Sequence, residues 1–211
     1  MTLHLTRITL NPADRNAITD LGDLQRLHRR LMLLVPDDLG DRARQQAGVL
    51  FRIDETASRT AILIQTRAEP GVDRIPSGYG TIEHRDISPL LEHLAVGTKV
   101  AYRITANPSK RNAIGEAAGK IRALNGAAAD TWWRDKATAC GMEPGQFSTV
   151  SLPDAVAKKG PDPRRWIRHG LRRFEGTATV TDPDALRDAV LSGIGRAKAY
   201  GAGLLSLRVL A

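Results

Sequence analysis

The strongest constraint on this chain is a pattern that it runs through twice: an alternating run, an amphipathic helix, then two more alternating runs. In the first half, Leu3 to Leu10 is rich in Leu, Ile and Thr and stops at Asn11-Pro12, which predicts a strand. Leu21, Leu24, Leu27, Leu31 and Leu34 then recur every three or four residues, which predicts a helix ended by Pro36. Asp20 is the expected cap, with Asp23 in the first turn near the positive end of the helix dipole. Val49, Phe51 and Ile53 alternate as a strand, as do Ala61 and Leu63. The stretch from Glu69 to Gly80 holds two prolines and three glycines and predicts a loop, before a fourth strand over Thr81 to Ile87. The second helix of this half is expected to be shortened or missing.

The second half restarts the pattern. Val100, Tyr102 and Ile104 alternate up to Asn107-Pro108, and Asp130 is the expected cap of a helix through Trp132, Trp133, Lys136 and Cys140 that Gly141 closes. Arg164 to Val180 contains two strand-like runs, a candidate hairpin. Asp182-Pro183 is a strong helix start, because proline suits the first helical position; Leu186, Ala189, Val190 and Ile194 line its inner face. Leu204 to Leu210 predicts a last strand. The expected class is α+β, with two tandem ferredoxin-like domains of the RNA-recognition-motif kind, over residues 1–90 and 97–211. The junction is placed between Ser88-Pro89 and Gly97.

Charge narrows the choice of partner. Lys and Arg total 31 against 23 Asp and Glu, a net +8, which favours a polyanion and salt-sensitive binding; a merely basic surface is the plainer alternative. The single cysteine, Cys140, rules out internal disulfides and fits a reducing compartment. The longest apolar run, Leu31 to Val35, is too short to span a membrane, and the first residues lack a signal-peptide pattern. The expectation is a cytoplasmic protein with no membrane partner.

Generic enzyme signatures are missing. The five histidines show no metal-ligand spacing, the lone cysteine cannot build a zinc site, and neither a nucleophile elbow nor a phosphate loop is present. No metal and no cofactor are expected. His28 borders the apolar stripe of the first helix and is followed by Arg29 and Arg30. At that spacing a histidine is more often a part-buried residue satisfied by a hydrogen bond. The functional alternative is a general acid/base, since an imidazole near pKa 6.5 can take a proton from a ribose 2′-hydroxyl or give one to a leaving 5′-oxygen.

Two basic features accompany it. Arg164, Arg165, Arg168, Arg172 and Arg173 fall within ten residues around Trp166. Edge-strand protection would explain a few of these charges, whereas a basic ribbon tracking RNA phosphates explains all of them. Gly193, Gly195, Gly201 and Gly203 bracket Arg196 and Lys198. Helix closure and a tight turn explain the first two glycines; close approach of backbone N–H groups to phosphate is the other reading.

These segments, in this order, resemble the CasE family of CRISPR-associated repeat-RNA endonucleases. Asp23-Leu24-Gln25-Arg26-Leu27-His28 is similar to the family's catalytic helix, and Tyr102 to Lys110 to its segment with an Ala-Asn-Pro core. Phe174-Glu175-Gly176 resembles a strand before the last helix, and Gly193 to Leu207 the C-terminal glycine-rich loop and strand. The resemblance implies metal-independent cleavage of precursor CRISPR RNA at the base of the repeat stem-loop, leaving 5′-hydroxyl and 2′,3′-cyclic phosphate ends. It also implies retention of the guide RNA within the multi-subunit complex Cascade. By carry-over His28 is the general acid/base, and the glycine-rich loop supports the site. Arg29, Arg30, Arg103, Lys110, Arg111, the five hairpin arginines, Arg196 and Lys198 contact RNA. Where the family carries a tyrosine three residues before the histidine, this chain has Gln25, which cannot transfer a proton near neutral pH. His28 is then left to act alone or with Arg29, Arg30 or Tyr200, and the alternative is a non-catalytic or very slow subunit that holds the repeat hairpin.

Overall fold

The computed structural model describes residues 2–36, 39–40, 43–113, 119–158 and 166–210. Strand β1 (His4–Leu10) is followed by helices α1 (Arg15–Leu21), α2 (Leu24–Leu31) and the short α3 (Ala43–Gln46), then strands β2 (Leu50–Glu55), β3 (Thr60–Thr66) and β4 (Gly80–Asp86). The short helix α4 (Ser88–Glu92) leads to β5 (Lys99–Ala106) and to a two-stranded ribbon of β6 (Ser109–Arg111) and β7 (Ile121–Ala123). Helix α5 (Ala127–Ala139), strands β8 (Met142–Lys158) and β9 (Trp166–Val180), helix α6 (Pro183–Ser192) and strand β10 (Leu205–Val209) complete the chain.

The strands form two four-stranded sheets, ordered β2-β3-β1-β4 and β10-β5-β9-β8, with every pair antiparallel. Each sheet places its first strand between its fourth and third, so the two are the same ferredoxin-like unit built twice in tandem. In the first unit only a 3-10 turn at Val72–Arg74 stands between β3 and β4, so the second helix is missing there, as the loop composition predicts. Among the described residues no helix is long and apolar enough to cross a membrane.

Three local expectations need correction. Asp20 caps nothing: it lies inside α1, which Asp14 caps through the Ala17 N–H. Gly22-Asp23 breaks the leucine-patterned run, and Asp23 caps α2 by accepting from the Gln25 N–H at 3.1 Å. Asp130 sits within α5, whose cap is Gly126, and its carboxylate accepts instead from the Thr149 hydroxyl at 2.7 Å. Finally, 166–180 is one continuous strand, not a hairpin; its partner arm is β8, which Pro144, Gly145 and Pro153 hide from an alternation count.

The two cores exchange side chains. Leu3, at the head of β1, packs among Val100, Ile104, Trp133, Phe174 and Val180 of the second unit. Ala155, Leu171 and Ala202 pack in return among Leu24, Leu27, Leu31, Phe51 and Ile64 of the first. Polar bridges add to this: Gln65 donates to the Val190 carbonyl at 2.8 Å, and the buried Arg52 reaches the Arg103 carbonyl at 3.3 Å and the Ser206 hydroxyl at 3.0 Å.

Candidate functional site

Helix α2 aims the central residue. Leu24, Leu27 and Leu31 are buried against the first sheet, and His28 shares their face at its edge, half-buried. Its imidazole stacks on Phe51 of β2, with centroids 6.5 Å apart and planes 22° from parallel. Nδ1 is the buried ring nitrogen and has no hydrogen-bond partner among the described residues. Burial first, and then the charge of Arg44, push His28 below its ordinary value, so the neutral base is favoured.

Arg44 is the neighbour that sequence reasoning missed. It stands on α3, half-buried, its guanidinium donating to the Val49 carbonyl at 3.2 Å. Its field reaches Lys198 as well, which is pushed down by burial and then by Arg44. No ion pair to a carboxylate holds Arg44 among the described residues, so it stands as an uncompensated cation beside the imidazole, while the Lys198 ammonium donates to the Ser192 carbonyl at 2.7 Å. A phosphate is the group such an arrangement favours.

The last loop closes the site from the second unit. Gly193, Gly195, Gly201 and Gly203 all have left-handed φ, between 73° and 91°. A β-carbon on Gly201 would stand 3.3 Å from the Phe51 ring, and one on Gly193 only 2.7 Å from Leu50. The glycines are thus required where the loop presses on β2 beneath His28. The Ile194 N–H donates to the Gly203 carbonyl and the Gly203 N–H to the Thr105 carbonyl. Beyond them, Tyr200 packs on His169 of β9, centroids 5.1 Å apart; burial and then Arg196 push His169 down.

The other expected residues are dispersed. Gln25 is half-buried one turn before His28, and Arg29 is exposed. Arg30 turns away to Asp20 at 2.9 Å and lies over the Tyr79 ring. Arg103 pairs with Glu175 at 3.0 Å and Arg173 with the same carboxylate at 2.5 Å. Lys110 and Arg111 are exposed on β6, where Lys110 faces Arg122 across the ribbon. Arg168 is exposed on β9, while Arg172 donates to the Leu171 carbonyl at 2.7 Å and to Asn125. Arg164 and Arg165 lie outside the described residues. The structure therefore gathers His28, Gln25, Arg44, Phe51, Lys198 and Tyr200 into one site and spreads the remaining cations over the surface. Among the described residues no three His, Cys, Asp or Glu side chains group as a metal site.

Comparison with known proteins agrees on one family. The CRISPR-associated endoribonuclease Cse3 of Thermus thermophilus is 29% identical over 219 residues, covering 96% of this chain and 98% of the relative. The structure of Thermus thermophilus Cse3 bound to an RNA representing a pre-cleavage complex superimposes with a TM-score of 0.80 at 28% identity, over 99% of this chain and 100% of that one. A chain of a CRISPR RNA-guided surveillance complex in a pre-nicking state matches with a TM-score of 0.73 at 37% identity, over 98% of this chain and 100% of its own. With the family model for CRISPR associated protein running through residues 3–208, this chain belongs to that family.

Proposed function

We propose that this chain is a metal-independent endoribonuclease that cleaves precursor CRISPR RNA at the base of the repeat stem-loop and retains the product as a subunit of Cascade in the cytoplasm. The observation that carries the chemistry is the half-buried imidazole of His28, pushed toward its neutral form beside Arg44, whose charge reaches Lys198 in turn. The RNA supplies its own nucleophile. His28 takes the proton of the ribose 2′-hydroxyl, whose oxygen attacks phosphorus; the bond to the 5′-oxygen breaks, and that oxygen takes up a proton. The ends are a 2′,3′-cyclic phosphate and a 5′-hydroxyl. Arg44 and Lys198 face the charge that develops on the phosphate.

RNA binding falls to the dispersed cations: Arg29, Lys110, Arg111, Arg168 and Arg196, which are exposed, the half-buried Arg172, and Arg103 and Arg173, which pair with Glu175 in the second sheet. Arg164 and Arg165 belong to the same reading by sequence, and residues 1–90 and 97–211 are its two domains. Similarity to an endoribonuclease solved with pre-cleavage RNA and to a chain of an RNA-guided surveillance complex supports both substrate and partners.

The test is cleavage of a repeat hairpin in EDTA by the wild type and by His28→Ala. The variant is expected to bind nearly as well and not to cut. If EDTA stops the wild type, the metal-free mechanism is wrong. If the wild type binds without cutting over long incubation, the chain is a holding subunit, with Gln25 as its symptom.

A further inference from the structure

A second feature adjoins the candidate site. Between α2, the end of β2, the irregular stretch of β8 and the turn before β10 lies a cavity of about 430 Å³. That size falls in the range of small-molecule sites, about 300–1,000 Å³. Its walls are apolar, with Leu24, Ala155 and Leu171 among them. Tyr200 and Gly201 belong both to this cavity and to the loop behind Phe51, and Leu24 is one turn before His28, so the cavity lies next to the site.

The polar groups say what fits. Thr105 alternates with Tyr102, Ile104 and Ala106, which face the second core, so its side chain points the other way, to the cavity. It is 3% exposed, and its hydroxyl has no hydrogen-bond partner among the described residues. A buried hydroxyl left unmatched is costly unless a ligand meets it. The exposed carboxylates of Glu55 and Asp154 line the same cavity and accept hydrogen bonds only, while the cation in its wall, Arg173, is already paired with Glu175 at 2.5 Å.

We propose that this cavity receives one unpaired, amino-bearing nucleobase (adenine, cytosine or guanine) from a nucleotide flanking the cleaved phosphodiester. The inference rests on the RNA-cleavage reading above. The base enters between apolar walls and Tyr200, the Thr105 hydroxyl meets its edge, and a rim carboxylate accepts from its exocyclic amine. Uracil, without that amine, is disfavoured. Seating the base fixes the neighbouring ribose over His28, so the cavity selects the position of the cut.

The test uses hairpins carrying the repeat of the host's own CRISPR array, with the nucleotides on either side of the cut replaced one at a time by an abasic residue or by uridine. For the wild type, one position is expected to lose about tenfold in single-turnover rate or affinity when its base is removed. Ala155→Leu, which fills the cavity, makes that position indifferent. Thr105→Val keeps the shape and the melting temperature and narrows the preference over uridine. Cleavage that ignores base removal at every flanking position overturns this inference alone. Failure to bind or cut any of the hairpins overturns the RNA reading with it.

Discussion

His28 and Phe51 stack across 6.5 Å, a helix residue on a strand residue, and this one contact ties the candidate base to the backbone of the distant C-terminal loop. The charge state of that base sets the first expectation. His28 is lowered from 6.5 by burial and by Arg44. Below pH 6.5 the unfolded chain then binds more protons than the folded one, so the contribution of His28 to stability is full above 6.5 and declines as pH falls toward the lowered value. The acid limb of kcat/KM lies below 6.5 for the same reason, and Arg44→Ala moves it upward. A limb that stays in place in that variant would remove Arg44 from the site.

Gly201→Ala tests the tie itself. The residue has φ of 82°, and its added methyl would stand 3.3 Å from Phe51. The strain costs roughly 1–2 kcal/mol. Thermal melts report that loss, and single-turnover cleavage is expected to fall further than stability does, because Phe51 shifts beneath His28. Equal rates would mean that the stack plays no part in positioning the base.

Asp20 carries the opposite kind of role. Its buried carboxylate receives Arg30 at 2.9 Å, Arg26 at 3.5 Å and the Tyr79 hydroxyl at 3.3 Å. Burial and the Asp20 charge push Tyr79 above its ordinary range. Asp20→Ala is expected to cost about 3 kcal/mol, about 6–12 °C in Tm for a chain of this size. Binding of the hairpin by the folded fraction stays unchanged, which a titration at low temperature checks.

The arginines of β9 predict a salt effect. Replacing Arg168 and Arg172 together by alanine should weaken hairpin binding and reduce the slope of log K against log salt by about 0.9 for each phosphate no longer neutralised. An unaltered slope would return both residues to the protection of the strand from aggregation.

Much of the architecture was legible because burial writes a period into the chain. The alternation in β1, β2, β5 and β10 and the Asp182-Pro183 start of α6 follow directly from it. The leucine repeat misplaced a cap because it runs through two helices, and the break at Gly22-Asp23 leaves its spacing intact. Strand β8 was not legible, since its pairing with β9 rather than its own pattern makes it a strand. His28 was readable as a candidate. Arg44 was not, because what gives it meaning is the approach of His28 on another helix and of Lys198 from the far end of the chain.

The exchanged core residues bear on how the molecule comes apart. With Leu3 seated in the second core and Ala155, Leu171 and Ala202 in the first, neither unit can melt without opening a hole in the other. Calorimetry should therefore record a single endotherm with matching calorimetric and van't Hoff enthalpies. Two halves expressed as separate polypeptides should each aggregate alone and recover a native spectrum only when refolded together.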